Sequence, residues 1–192
     1  ILSLHPGPVS MTSRERVRAA LTFSTPDRAP RDLWALPYIS LFRKQELDDM
    51  LARFPGDFGR PELSPGSDDA DIQKLAHAGT YRDEWGSVWH VGEPGVIGEV
   101  KEPVLSDWSA LRTFRPPWEC LHSRNWDNVN RDCDSSPLFM VSATCARPFE
   151  RLQFLRGPEN LYMDLAYGTE EARTLIAMVH DYYREDVLAW SR

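Results

Sequence analysis

Three absences bound this sequence of 192 residues before any motif is considered. It has only three cysteines, Cys120, Cys133 and Cys145, widely spaced and with no C-x-x-C pair. An odd, scattered set speaks against a disulfide framework and for a reducing cytoplasm. No run of about 18 apolar residues occurs, so no membrane span is expected. There is no basic excess either. The chain has 22 Lys and Arg against 29 Asp and Glu, a formal net charge of -7. That speaks against a nucleic-acid partner, which would favour a basic face. P-loop, G-x-G-x-x-G and G-x-S-x-G patterns are all missing. The opening Ile1 to Ser10 carries no Lys or Arg and does not read as a secretory signal. Residues 1–10 are expected to be a disordered lead or upstream readthrough.

Seven Trp and fifteen Pro are the unusual presences, and they suit a loop-decorated enzyme. Thr12 and Glu15 form a capping-box pattern. Val17, Ala20 and Leu21 then share a helical stripe that should end by Ser24, ahead of Pro26. Pro26 to Pro30 is a tight connection. Asp32 to Leu36 reads as a buried strand, and Gln45 to Phe54 as a helix with Leu47, Met50, Leu51 and Phe54 on one face. Residues 60–71 read as a solvated loop. Thr80 to His90 and Val96 to Leu105 read as two arms of a β-hairpin turned by Gly92, Pro94 and Gly95, with Trp85 and Trp89 on one face. Asp107 caps a short helix ending at Arg115. Residues 118–136 show no period. Pro137 to Cys145 has the continuous apolar run of a buried parallel strand. Helices follow at 149–156 and 159–166. Thr169 then caps the strongest helix, whose stripe is Ala172, Leu175, Ile176, Val179 and Tyr183.

Two buried strands cannot close a sheet, and a (β/α)₈ barrel needs about 250 residues. The pattern therefore implies an incomplete α/β domain.

Four ordered segments resemble the uroporphyrinogen decarboxylase family. They are Met11 to Leu21 followed by Pro26-Asp-Arg-Ala-Pro30; Asp83-Glu-Trp-Gly-Ser-Val-Trp89; Arg115-Pro-Pro117; and Phe149-Glu-Arg151, then Leu155 to Leu161 and Met163-Asp-Leu165. The resemblance implies a partial (β/α)₈ TIM barrel over residues 11–192, its N-terminal half with an inserted β-hairpin. The decarboxylase branch has an Arg-Gln-Ala-Gly-Arg-Tyr motif after its first strand. Leu36-Pro-Tyr-Ile-Ser-Leu-Phe42 stands there instead. The Asp83 to Trp89 pattern is more similar to the methylcobalamin:coenzyme M methyltransferase-like branch. That branch implies methyl transfer from a corrinoid to a thiol, and zinc held by the second half of the barrel. A tetrapyrrole or corrinoid ligand, a corrinoid protein, and a missing C-terminal half or second chain are the implied partners. Tetrapyrrole decarboxylation without a metal and a truncated non-catalytic binding protein are the alternatives.

Site candidates follow from that frame. Loops after barrel strands lie on the catalytic face. Arg147 can bind a substrate carboxylate there, and Glu150 can orient it or act as a general base; the plainer alternative is an ion pair at a helix start. Trp85 and Trp89, with Asp83, can wall a flat tetrapyrrole; the alternative is a hairpin packing its own rings. Cys120-Leu-His122 has metal-ligand spacing but reads as a chance pair, so no metal site is assigned within the chain. Cys145 reads as a structural thiol. Arg156 and Asp164 are expected to pair or cap helices, and His90 and His180 are isolated.

Overall fold

The computed structural model describes residues 10–63, 73–142, 144 and 146–192. The expected lead at 1–9, most of the loop at 64–71 and Cys145 lie outside the described residues. In chain order the described elements are α1 (Ser13–Leu21), α2 (Pro37–Phe42), α3 (Lys44–Arg53), β1 (Phe58–Gly59), β2 (Gly79–Arg82), β3 (Val88–Val91), β4 (Glu99–Glu102), a 3₁₀ turn (Trp108–Arg112), α4 (Trp118–His122), α5 (Asp127–Ser135), β5 (Phe139–Met140), α6 (Pro148–Arg156), α7 (Pro158–Tyr167) and α8 (Glu170–Trp190). The fold is mixed α/β. Among the described residues no sheet closes into a barrel. The chain divides into two compact units, Ile1–Ser64 with Asn125–Ala143 and Pro65–Arg124 with Thr144–Arg192.

In the first unit, α1 starts as its capping box requires. Thr12 Oγ1 accepts from the Glu15 amide, and Glu15 reaches back to the Thr12 amide. The buried face of α1 is Arg16 and Val17, however, while Ala20 and Leu21 are exposed. Arg16 goes inside because carboxylates receive it there. β1 and β5 pair in parallel, Phe58 opposite Phe139 and Gly59 opposite Met140. A Cβ at Gly59 would meet Met140 Sδ at 2.8 Å, so a larger residue there would require the Met140 side chain to move. The expected strand at 137–145 is thus parallel, but short and half-buried.

The expected strand at Asp32–Leu36 is not formed. Leu33, Trp34 and Leu36 are exposed, and Leu36 is the extended N-cap of α2. Pro37 at the first helical position has no N–H for a ladder and presets φ for the helix, so the chain turns instead of pairing.

The second unit holds an antiparallel meander, β2-β3-β4. The expected single arm at 80–90 is itself a hairpin, because Asp83–Ser87 turns between β2 and β3, with Gly86 at φ +94°. Residues 118–136 contain α4 in this unit and α5 in the first, against expectation. Asn125 Oδ1 accepts the Asp127 amide at 2.9 Å and so sets the start of α5. The last helix begins as read, with Thr169 accepting from the Ala172 amide. Its buried positions are Ala172, Leu175, Val179, Tyr182 and Asp186, a 3-4-3-4 stripe, while Ile176 is exposed and Tyr183 half-buried. The core joins Trp85, Leu105, Leu155, Leu161, Leu175 and Tyr182.

One terminus is strained. Past α1, the Phe23 amide bonds Ala20 O and the Ser24 amide bonds Ala19 O, a Schellman pattern whose left-handed position favours glycine. Phe23 occupies it at φ +56° with its side chain 99% exposed. A left-handed non-glycine residue costs about 1–2 kcal/mol, and no packing offsets it. Phe23→Gly should therefore raise stability by about 1 kcal/mol, read as a higher urea midpoint, while Phe23→Ala should not. An equal gain in both variants would show that strain is not the cause.

Candidate functional site

The Asp83 to Trp89 segment is built around one carboxylate. Asp83 Oδ1 accepts the amides of Trp85 (3.1 Å) and Ser87 (2.8 Å), which closes the turn. Asp83 Oδ2 accepts Trp89 Nε1 (2.9 Å) from β3 and Arg151 Nη1 (3.1 Å) from α6. The Arg151 guanidinium also lies over Trp85, 4.9 Å from the ring centroid, and over Phe154 at 5.7 Å. Ser87 Oγ donates to Phe154 O. Each residue type in the pattern therefore has a local task. The Asp supplies the acceptor, the Gly supplies the turn, and the two Trp cover the charge.

Trp85 is 4% exposed and packed against Tyr182 with ring centroids 4.7 Å apart. Trp89 stacks on Tyr81 and meets Phe154 edge-on. The two indoles do not share one face as a wall. Trp85 belongs to the core, because the chain reverses between them.

Arg147 and Glu150 come together as an ion pair of 2.8 Å at the start of α6, with side chains 62% and 39% exposed. Arg147 is the N-cap residue and Glu150 lies in the first turn, where the helix dipole favours an anion. This pair is open to solvent, unlike the Asp83–Arg151 pair.

Cys120 and His122 do not converge. Two positions apart on α4, they point to opposite sides of the helix. His122 Nε2 instead meets Glu185 Oε1 at 2.6 Å, and its ring stacks on Trp118. Burial, then the negative Glu84 and Glu119, push the Cys120 thiol up, which disfavours its thiolate. Among the described residues no group of three or more His, Cys, Asp or Glu is placed to hold a metal ion. His90 is exposed on β3, and His180 faces its neighbour Asp181 at 3.5 Å. Arg156 and Asp164 pair at 2.7 Å, as expected, and Arg156 also donates to Leu105 O and Ser106 O and covers Trp108 at 4.2 Å.

Three charged residues, two buried and one half-buried, escaped the sequence reading. Arg151 is one. Asp186 is another: its carboxylate takes Arg124 and Thr144 Oγ1. The third is Asp57, fully buried in the first unit. Its carboxylate accepts Ser13 Oγ, Arg16 Nη1, both Nη of Arg28 and the Arg31 amide, at 2.5–2.9 Å. Arg16 also forks onto Asp27 at 2.6 and 2.8 Å. For Asp186 a signal existed, because it continues the 3-4 stripe of α8 by four residues from Tyr182.

The electrostatics are those of a scaffold. Hydrogen bonds from Arg16 hold Asp27 well below the usual carboxylate range. Burial works against ionisation of Asp57, but Arg28, the Arg31 amide, Ser13 and Arg16 outweigh it and hold Asp57 low as well. Burial pushes the Tyr182 hydroxyl up. Among the described residues every resolved shift moves a pKa further from pH 7, the opposite of what a general acid or base needs. No family model, no curated protein and no solved structure matches the chain.

Two predictions follow from the buried pairs. Asp27 and Asp57 are depressed in the folded state, so the folded chain binds fewer protons than the unfolded chain below the ordinary carboxylate pKa of about 4. Their stabilisation is present above that value and is lost as pH falls towards the folded pKa values. Urea midpoints should drop steeply below about pH 4. Asp57→Asn should lose about 3–5 kcal/mol at pH 7 and show a shallower acid limb; an unchanged limb would assign the acid loss elsewhere. Likewise Arg151→Met should cost about 3 kcal/mol by stranding Asp83, against less than about 1 kcal/mol for Glu150→Gln at the exposed pair.

Proposed function

We propose that the chain is the N-terminal part of a uroporphyrinogen decarboxylase-family (β/α)₈ barrel, from a cytoplasmic enzyme that moves a methyl group from a corrinoid to a thiol. One observation carries this reading. Among the described residues seven polar or charged ones are buried: Arg16, Asp57, Asp83, Ser87, Arg156, Asp164 and Asp186. Five of them, all but Asp57 and Asp186, lie inside the segments that resemble the family. Asp57 is bound by Arg16 and Arg28, which also lie in those segments. The resemblance thus falls on the residues that build the interior, where a fold-level likeness belongs. The parallel pairing of β1 with β5 is the strand relation that a β/α barrel requires.

Within this reading the chain following β5 faces the barrel mouth. The exposed Arg147 would bind a substrate carboxylate, and Glu150 would orient its guanidinium. Trp85 is left out of the ligand wall because it is buried, and Trp89 offers at most the ring face that Tyr81 does not cover. The described residues do not fit a zinc site, so a zinc would be held by other residues. The free thiols Cys120 and Cys133 suit a reducing compartment. No described helix is long and apolar enough to cross a membrane. The corrinoid, or the protein carrying it, and the rest of the barrel are the proposed partners.

The test uses the protein encoded by the full reading frame. Methyl transfer from methylcobalamin to a thiol, with stoichiometric bound zinc, is the expected result. Arg147→Ala should then raise KM at least tenfold with little change in kcat. A metal-free protein that decarboxylates uroporphyrinogen would overturn the methyltransferase assignment while keeping the family. The 192-residue chain alone should self-associate or aggregate on size-exclusion chromatography. A monodisperse monomer that unfolds cooperatively would sink the half-barrel itself.

A further inference from the structure

We draw no further inference here: the strongest candidate, the solvent-open groove of about 600 Å³ that Trp118 of α4 forms with Asp181, Arg184, Glu185, Leu188 and Arg192 at the end of α8, mixes two cationic with two anionic side chains, and nothing in the structure shows what covers it.

Discussion

A carboxylate taken out of water must find donors to replace its hydration, and in both units the chain is arranged around that demand. Asp57 collects donors from α1 and from the connection at 26–31, including the Arg31 amide. It thereby ties two stretches to the start of β1. Asp83 does the same between β2, β3 and α6, and Asp164 between α7, α6 and the 3₁₀ turn. Breaking a buried pair by removing one member costs about 3–5 kcal/mol, whereas an apolar replacement of the whole pair is often neutral. The pairs therefore contribute less to net stability than to the choice of one arrangement. A turn closed on Asp83 cannot slip in register without stranding a charge.

The same demand governs what these groups can do chemically. A carboxylate already holding four or five hydrogen bonds has little capacity left for a substrate proton. A guanidinium forked onto Asp27 and Asp57 is likewise unavailable to a ligand. Chemistry has to come from side chains that the scaffold leaves exposed. Arg147 and Glu150 meet that condition at the start of α6. Their exposed pairing is the weak kind of ion pair, worth about 0–1 kcal/mol.

What the sequence made legible was local chemistry. The Thr12 capping box and the Thr169 cap each depend on a few adjacent residues, and each occurs where the pattern places it. What stayed illegible depended on distant partners. Arg16 lies inside α1 because Asp57, 41 residues away, receives it. Tyr182 takes the buried position expected of Tyr183 because Trp85 and Trp118 meet it there. Asp32 to Leu36 has the composition of a strand but no partner to pair with, and Pro37 directs it into a helix. The pattern Asp83 to Trp89 misled for another reason. Alternation suited one long strand, and only the capacity of an Asp to bond amides two and four residues ahead marks the turn. For the candidate site, Arg147 and Glu150 were visible as neighbours of a strand end, while Arg151, the residue that reaches Asp83, looked like any helix-surface cation.

The polar hubs are complete, but the apolar faces are not. On α3 the stripe Leu47, Met50, Leu51 and Phe54 has the spacing of a buried face, yet Met50, Leu51 and Phe54 remain 38–48% exposed. Tyr38 and Phe42 of α2 are exposed to a similar degree, and Trp34 to 74%. Fully burying one large apolar side chain is worth about 1.5–3 kcal/mol. Covering the exposed half of these six would then add roughly 5–9 kcal/mol, comparable with the whole stability of an ordinary domain at about 5–15 kcal/mol. A sequence that spaces its apolar residues this regularly while leaving them wet carries an instruction for packing that these elements do not themselves fulfil. Among the described residues of the first unit, the charges are thus paired while these apolar faces stay open.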